Sequence, residues 1–489
     1  MKKKIYIIGS GFSALAASCY LSKEGFEVIV LEKNTTLGGR ARQYKKDGFT
    51  FDIGPTWYWM PDVFERFFAD FGKKPSDFYL LEKLKPAYQV YFGEQDSITI
   101  DGNLEEIYQT FEQEEKGSAT QLKKFMDSAQ SNYNIAIKDL VYKPGISPLE
   151  LVTPKTVTKL NQFVSTIRKE VRKNIKSNKL IQILEFPVLF LGAKPSNTPA
   201  FYNFMNYADF GLGTWHPIGG MYKVVEGMVA LAESLGVEFR TNANVDKIKT
   251  DASNNVIGLV VNGEDIEADL VLSGADYHHT ETLLNENVRQ YSENYWSKKT
   301  FAPSSLLFYV AFDKKLANVS HHTLFFDSDF DVHAKDIYDT PKWPDNPLFY
   351  ASFSSITDDS FAPDDCEAAT FLIPLAPGLE DKDELRELYF KKIITRLEKL
   401  TNQDVQKNII FKKSFCVNDF VEEYNSYKGN AYGLANTLFQ TAFLRPKIKS
   451  KKVNNLYFTG QLTVPGPGVP PALISGKIAS DLIVKNQQN

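Results

Sequence analysis

The chain has 489 residues, 43% of them apolar and 24% charged, with a net charge of −4. That length exceeds one ordinary compact core and predicts two or three domains. The composition is that of a globular protein, and the lack of a basic excess argues against nucleic acid as a partner.

The chain opens with Met1-Lys2-Lys3-Lys4, but the apolar run after it stops at Gly9. That run is too short for a signal-peptide core and reads as a buried parallel strand over residues 4–8. Gly9-Ser10-Gly11-Phe12-Ser13-Ala14 follows at once, a G-x-G-x-x-A variant of the dinucleotide fingerprint. A helical pattern then runs to a stop at Gly25, and a second strand from Glu27 to Leu31 ends at Glu32 and Lys33. Gly9 permits the tight turn, Gly11 lets the backbone approach a pyrophosphate, and Ala14 lets the helix pack on the strand. The helix N-terminus presents free N–H groups to phosphates, and Glu32 can accept hydrogen bonds from ribose hydroxyls. An acid at that point disfavours the 2'-phosphate of NADP.

Next come Leu37-Gly38-Gly39-Arg40-Ala41 and Gly48-Phe49-Thr50-Phe51-Asp52-Ile53-Gly54-Pro55-Thr56. Arg40 can make a charge-assisted fork with a phosphate, and Gly54-Pro55-Thr56 would place rigid backbone near an isoalloxazine. These motifs resemble the FAD-containing superfamily of amine oxidases and polyene desaturases. The resemblance implies cofactor contacts at Gly9 to Ala14, Glu32, Lys33, Gly38 to Ala41 and Gly54 to Thr56. Trp57-Tyr58-Trp59-Met60, immediately downstream, could line an apolar tunnel or simply pack the core.

Residues 105–205 are largely helical in pattern. From Lys155 to Lys179, Leu160, Val164, Ile167, Val171 and Ile175 recur at helical spacing among eight basic residues and the single acid Glu170. Such a helix can lie on an anionic membrane or stay solvated on its own domain. The run from Ile183 to Leu191, with Phe186 and Leu189 as candidate substrate contacts, is broken by Glu185 and Pro187. No stretch reaches the ~20 apolar residues that span a bilayer.

Residues 217–277 read as a return to the first domain: a helix opening at Gly219-Gly220-Met221, then short strands, with Val245 where the superfamily holds adenine through backbone groups. Residues 285–415 alternate strands and helices, as in a substrate-binding sheet. The C-terminus returns again, with a strand from Leu456 to Phe458 and a Pro- and Gly-rich loop from Gly460 and Gln461 through Gly468 and Val469. A helix from about Ala472 to Val484 closes the chain. Such a loop can set N–H groups against flavin oxygens or a ribityl phosphate.

Cys19, Cys366 and Cys416 are scattered and odd in number, which argues against disulfides or zinc and fits a reducing compartment. The neighbouring pairs His278-His279 and His321-His322 are poor chelators, and no metal is expected.

Beyond the cofactor motifs, Glu185 to Gly192, Gly213-Thr214-Trp215, Ser273-Gly274-Ala275-Asp276, Tyr427 to Gly433 and Asn455 to Phe458 resemble the bacterial-type phytoene desaturases, over nearly the whole chain. The chain departs from them at Ile218, at Gly460-Gln461-Leu462-Thr463-Val464 and at Pro471. The resemblance implies a cytoplasmic, peripherally membrane-bound FAD enzyme that inserts double bonds into a linear isoprenoid, phytoene-type, with oxygen or a quinone as electron acceptor. Related alternatives are later 3,4-desaturation of a hydroxylated or monocyclic carotenoid, an amine oxidase, and a non-catalytic prenyl-binding escort protein.

The expected fold is α/β. A discontinuous Rossmann-type FAD-binding domain (1–80, 215–284 and 416–489) carries a sheet-containing substrate domain (81–104 and 285–415). The third part is a helical, membrane-facing domain (105–214).

Overall fold

A computed structural model describes residues 3–488; Met1, Lys2 and Asn489 lie outside the described residues, as do the side chains of Asp139, Phe190, Leu191 and Leu438. The first strand, Lys4–Ile8, sits at the centre of a five-stranded parallel sheet. The order is Leu456–Phe458, Val271–Ser273, Lys4–Ile8, Glu27–Leu31 and Glu238–Arg240. Tyr6 stands opposite both Val271 and Ile29, so strands far apart in sequence flank the first one. Side chains alternate across this sheet with period two. Ile5, Ile7, Val28 and Val30 join the core under the helix Phe12–Lys23, whereas Tyr6, Ile8, Ile29 and Leu31 pack on the opposite face with Val245 and Ile248. Both faces are buried, which is why these strands read as continuous apolar runs.

The C-terminal helix starts at Val469, earlier than its apolar pattern suggests. Pro470 and Pro471 occupy its first turn, where a missing N–H removes no helical hydrogen bond.

A seven-stranded sheet forms the second layer system. Its order is Ile409–Phe415, Ser304–Phe312, Glu367–Leu375, Phe349–Ser352, His322–Phe325, Tyr88–Gly93 and Asp96–Ile100. Leu306, Phe308 and Val310 face the helix Asp383–Thr401, while Ser305 and Leu307 face a cavity on the other side. Alternation on one strand thus divides structural from cavity-lining residues.

The described residues between 105 and 214 form helices and turns, and no described helix is long and apolar enough to cross a membrane. The segment from Lys155 to Lys179 is not one helix. It breaks into Pro154–Val157, Leu160–Val164 and Ile167–Asn174, and Lys179 belongs to a fourth helix, Asn178–Glu185. Thr153 and Thr166 cap new starts with their hydroxyls, and Ser165 is extended where Thr166 bridges to Pro199. Local capping by Thr outcompetes helix continuation here. Ile167, Val171 and Ile175 are buried as the spacing implied, but Leu160 and Val164 are exposed. Part of the basic charge is consumed internally: Arg168 and Arg172 pair with Glu185, and Lys179 with Asp96.

Asp209 lies in the turn Tyr207–Gly211, fully buried. Tyr88 donates its hydroxyl to one carboxyl oxygen at 2.8 Å, and the other oxygen has no partner. Burial pushes this carboxyl up to about 8. The folded state therefore holds a proton that the unfolded chain releases in the ordinary carboxylate range near ~4. The sign follows: this contribution is full at low pH and is lost as pH rises toward 8, at up to roughly 1.4 kcal/mol per unit. Asp209→Asn should remove that component, so urea unfolding between pH 5 and 8 should show a flatter stability profile in the variant than in the parent chain.

Candidate active site

One cavity of about 820 Å³ runs along the C-terminal end of the parallel sheet and across the face of the seven-stranded sheet opposite the helix Asp383–Thr401. Gly9, at φ +87°, turns the chain out of the first strand, and its N–H is held by the Leu31 carbonyl at 2.7 Å. Ser10 ties the turn together. Its N–H and hydroxyl donate to Glu32 Oε2 at 3.0 and 2.6 Å, and its Oγ accepts from the Gly38 N–H at 3.1 Å. The other Glu32 oxygen accepts from the Asn34 N–H at 2.9 Å, so the carboxylate is fixed against the cavity wall.

Gly11 is different from Gly9. Its φ of −69° suits any residue, and a Cβ there would meet no protein atom within 4 Å. Nothing in the protein requires glycine at this point; a ligand lying against the backbone does. The helix that starts at Phe12 has no side-chain cap, which leaves first-turn N–H groups for that ligand.

Arg40 approaches from the other side. It donates to Ser426 Oγ at 3.1 Å, lies over the Tyr424 ring and faces the Asp276 charge, while its Nε is buried without a partner. Burial lowers the pKa of this guanidinium and raises that of the Asp276 carboxyl. An orphan donor on a buried cation is suited to a phosphate oxygen.

Of the residues named from sequence, Gly9 to Ser13, Glu32, Lys33, Gly38 to Ala41, Gly54 to Thr56, Val245, Gly460, Gln461, Gly468 and Val469 all line this cavity. Ala14 does not. It is wholly buried in the helix–strand contact, where a Cβ on Gly274 would come within 2.8 Å of it. Trp57, Trp59, Phe186 and Leu189 also line the cavity. Tyr58 points the opposite way, as strand alternation requires, and stacks on Phe64 with its hydroxyl against Tyr79.

Several cavity residues had no sequence signal of their own. Tyr350 shares a hydrogen bond with Thr56 Oγ1 at 2.8 Å and another with His322 Nδ1 at 2.7 Å, and Trp57 stacks flat on the His322 ring at 4.1 Å. Tyr432 lies beside both Tyr350 and Tyr338. The Tyr338 hydroxyl is buried without a hydrogen-bond partner, the Ser305 hydroxyl is approached by that of Tyr432, and all three residues line the cavity. Period-two reading of the strand at 304–312 could have flagged Ser305. Among the described residues there is no cluster of ligands suited to a metal ion.

The open space at Gly11, the uncapped helix, the fixed Glu32 and the orphan Arg40 Nε together fit a dinucleotide. A family model described as flavin containing amine oxidoreductase matches residues 12–484. The chain belongs to that family. Within it, the chain is 41% identical to a carotenoid 3,4-desaturase of Haloarcula japonica, over 99% of this chain and 98% of that one. It is 30% identical to a 4,4'-diapophytoene desaturase of Staphylococcus haemolyticus, over 99% of each. An oxidoreductase of Methanosarcina mazei shares the fold, with a TM-score of 0.64 at 15% identity over 98% of this chain and 100% of the other. These relationships place the protein among the carotenoid desaturases of the family, with FAD as cofactor.

Gly11→Ala tests the site, because the Cβ it adds meets no protein atom within 4 Å. Thermal unfolding of the apoprotein should be unchanged, while flavin absorbance of the purified protein should fall to a small fraction of the parent's. Full flavin occupancy in a folded variant would place the pyrophosphate elsewhere.

Proposed function

We propose that the protein is an FAD-dependent carotenoid desaturase that takes a linear polyene from a membrane surface. The observation that carries this reading is the continuity of one cavity from the Gly9–Gly11 turn to an apolar mouth. Phe163, Phe439 and Leu444 line that cavity at the mouth, and Leu149, Leu160 and Val164 are exposed on the same segments. Val164 is 83% and Phe439 79% exposed, and Lys447 ties the loop at Gly145 to the turn at Phe443 through their carbonyls. Exposed apolar side chains around a cavity mouth mark an interaction site. A carotenoid gains ~0.8 kcal/mol per CH₂ on leaving water, so its transfer through water is prohibitive. A mouth pressed on lipid avoids that transfer, and this mouth replaces the basic helix as the docking element.

When bound, FAD accepts the electron pair that leaves with one hydrogen as a new C=C bond forms. The chain supplies the rest. Trp57, Phe186, Leu189, Phe326 and Phe330 form an apolar wall that matches a polyene and excludes water. The Thr56–Tyr350–His322 chain gives the wall a fixed polar point, and burial keeps its imidazole neutral, so the chain orients the Tyr350 hydroxyl and does not take up a proton.

A specific observation favours a later step over the phytoene-type reaction. The hydroxyl of Tyr338, which has no partner, and that of Ser305, which the Tyr432 hydroxyl approaches, sit in a largely apolar wall, where leaving a polar group unsatisfied costs about 1–3 kcal/mol. An oxygen on the substrate end would satisfy them, and would place the bond to be oxidised near a chain terminus. The relative at 41% identity is named for such a position.

The test is chromatography of products from carotenoids supplied in vesicles. Turnover of hydroxylated acyclic carotenoids should exceed that of the matching hydrocarbons, and Tyr338→Phe should erase the preference, a loss of roughly tenfold for a hydrogen bond of about 1.4 kcal/mol. Equal use of both classes leaves the phytoene-type reaction. Val164→Glu with Phe439→Glu should release the protein from vesicles, and unchanged co-sedimentation would contradict the docking mouth.

A further inference from the structure

Arg445 is 2% exposed. Its Nη1 donates to the Gln461 carbonyl at 3.0 Å and the Thr463 carbonyl at 3.5 Å; its Nη2 donates to the Leu434 carbonyl at 2.9 Å and to Asn436 Oδ1. Its Nε has no partner. Among the described residues no carboxylate pairs with it, and a charge that bears on it, Lys299, is another cation. Burial pulls the guanidinium down to about 10, still well above neutrality. A buried cation normally has a counter-ion, and dipoles alone leave its charge uncompensated.

The same contacts orient the loop that borders the cavity. In a planar trans peptide the C=O and the following N–H point in opposite directions. The carbonyls of Gln461 and Thr463 point at Arg445, so the N–H groups of Leu462 and Val464 point away from it. Both residues are buried and line the cavity, and neither N–H has an acceptor among the described residues. Buried N–H groups without acceptors are rare in folded proteins. Arg40, which lines the cavity itself, differs in having the Asp276 carboxylate close by.

We propose that Arg445 is an electrostatic positioning residue: behind the 461–464 backbone, it supplies fixed positive charge that stabilises FAD in its two-electron-reduced state. Two-electron reduction with uptake of one proton adds a negative charge to the cofactor. Charge placed near the flavin is one of the few means a protein has to tune it. The four acceptors hold the guanidinium in place without neutralising it, and the amides between transmit its field. This inference rests on the flavin site alone, with no dependence on which carotenoid is used.

The experiment is spectroelectrochemical titration of purified holoenzyme without carotenoid, so failure of the substrate reading cannot affect it. Arg445→Gln should lower the equilibrium constant for two-electron reduction at least tenfold, about 30 mV for this couple. Arg445→Lys, which keeps the charge, should stay close to the parent. Asn436→Asp adds a carboxylate where Oδ1 already accepts from the guanidinium, and should lower the constant as Arg445→Gln does with the arginine still in place. If Arg445→Gln does not retain FAD, Asn436→Asp decides. Parent-like potentials in both charge-cancelling variants overturn the proposal. So does loss of FAD from all three variants, which would make the guanidinium a structural clip.

Discussion

The parallel pairing of Lys4–Ile8 with strands drawn from residues 27–31 and 271–273 is the constraint on which the rest depends. Parallel neighbours cannot be joined by a tight turn. The chain must therefore leave and return, and two of its departures are long enough to build the other parts. The seven-stranded sheet and the helical region are such excursions, and each return brings cavity residues to the C-terminal end of the same sheet. The open space at Gly11 lies there, as ligand sites do in sheets of this kind. Removal of the pairing at residue 271 would detach Gly274–Asp276 and, through strand 456–458, the Gly460–Val469 loop as well.

The cavity combines opposite requirements. A polyene needs a wall as apolar as lipid, whereas a dinucleotide needs phosphate and ribose donors and acceptors. The protein separates them along one surface. The polar groups cluster at the turns of the parallel sheet, each fixed by short-range contacts such as Ser10 to Glu32. The apolar groups come from Trp57 and Trp59, the turn at Phe186, the helix Phe330–Tyr338 and one face of the second sheet. One polar atom that intrudes on the apolar side, the Tyr338 hydroxyl, stands without a partner, and that mismatch carries information about the substrate.

Much of the nucleotide site was legible in sequence because it is local. Strand, turn, helix and acid fall within 32 residues, and each residue type has one physical reason to be there. The tunnel was legible only in part. Trp57 and Trp59 face it and Tyr58 does not, a distinction that depends on knowing the extended backbone at 57–59. The break at Ser165 was hidden because apolar spacing continued through it while Thr hydroxyls offered the backbone another partner. Tyr350 and Arg445 had no pattern to reveal them. Tyr350 meets Thr56 from far along the chain, and a buried arginine without a counter-ion looks in sequence like any other arginine.

The central claim is that a carotenoid in this cavity reduces the flavin directly. Anaerobic mixing of holoenzyme with a hydroxylated acyclic carotenoid in vesicles tests it in one turnover. The account predicts loss of the oxidised-flavin absorbance together with a red shift of the polyene spectrum, in equal molar amounts. A flavin that stays oxidised with the carotenoid, yet bleaches with a simple amine, would contradict it.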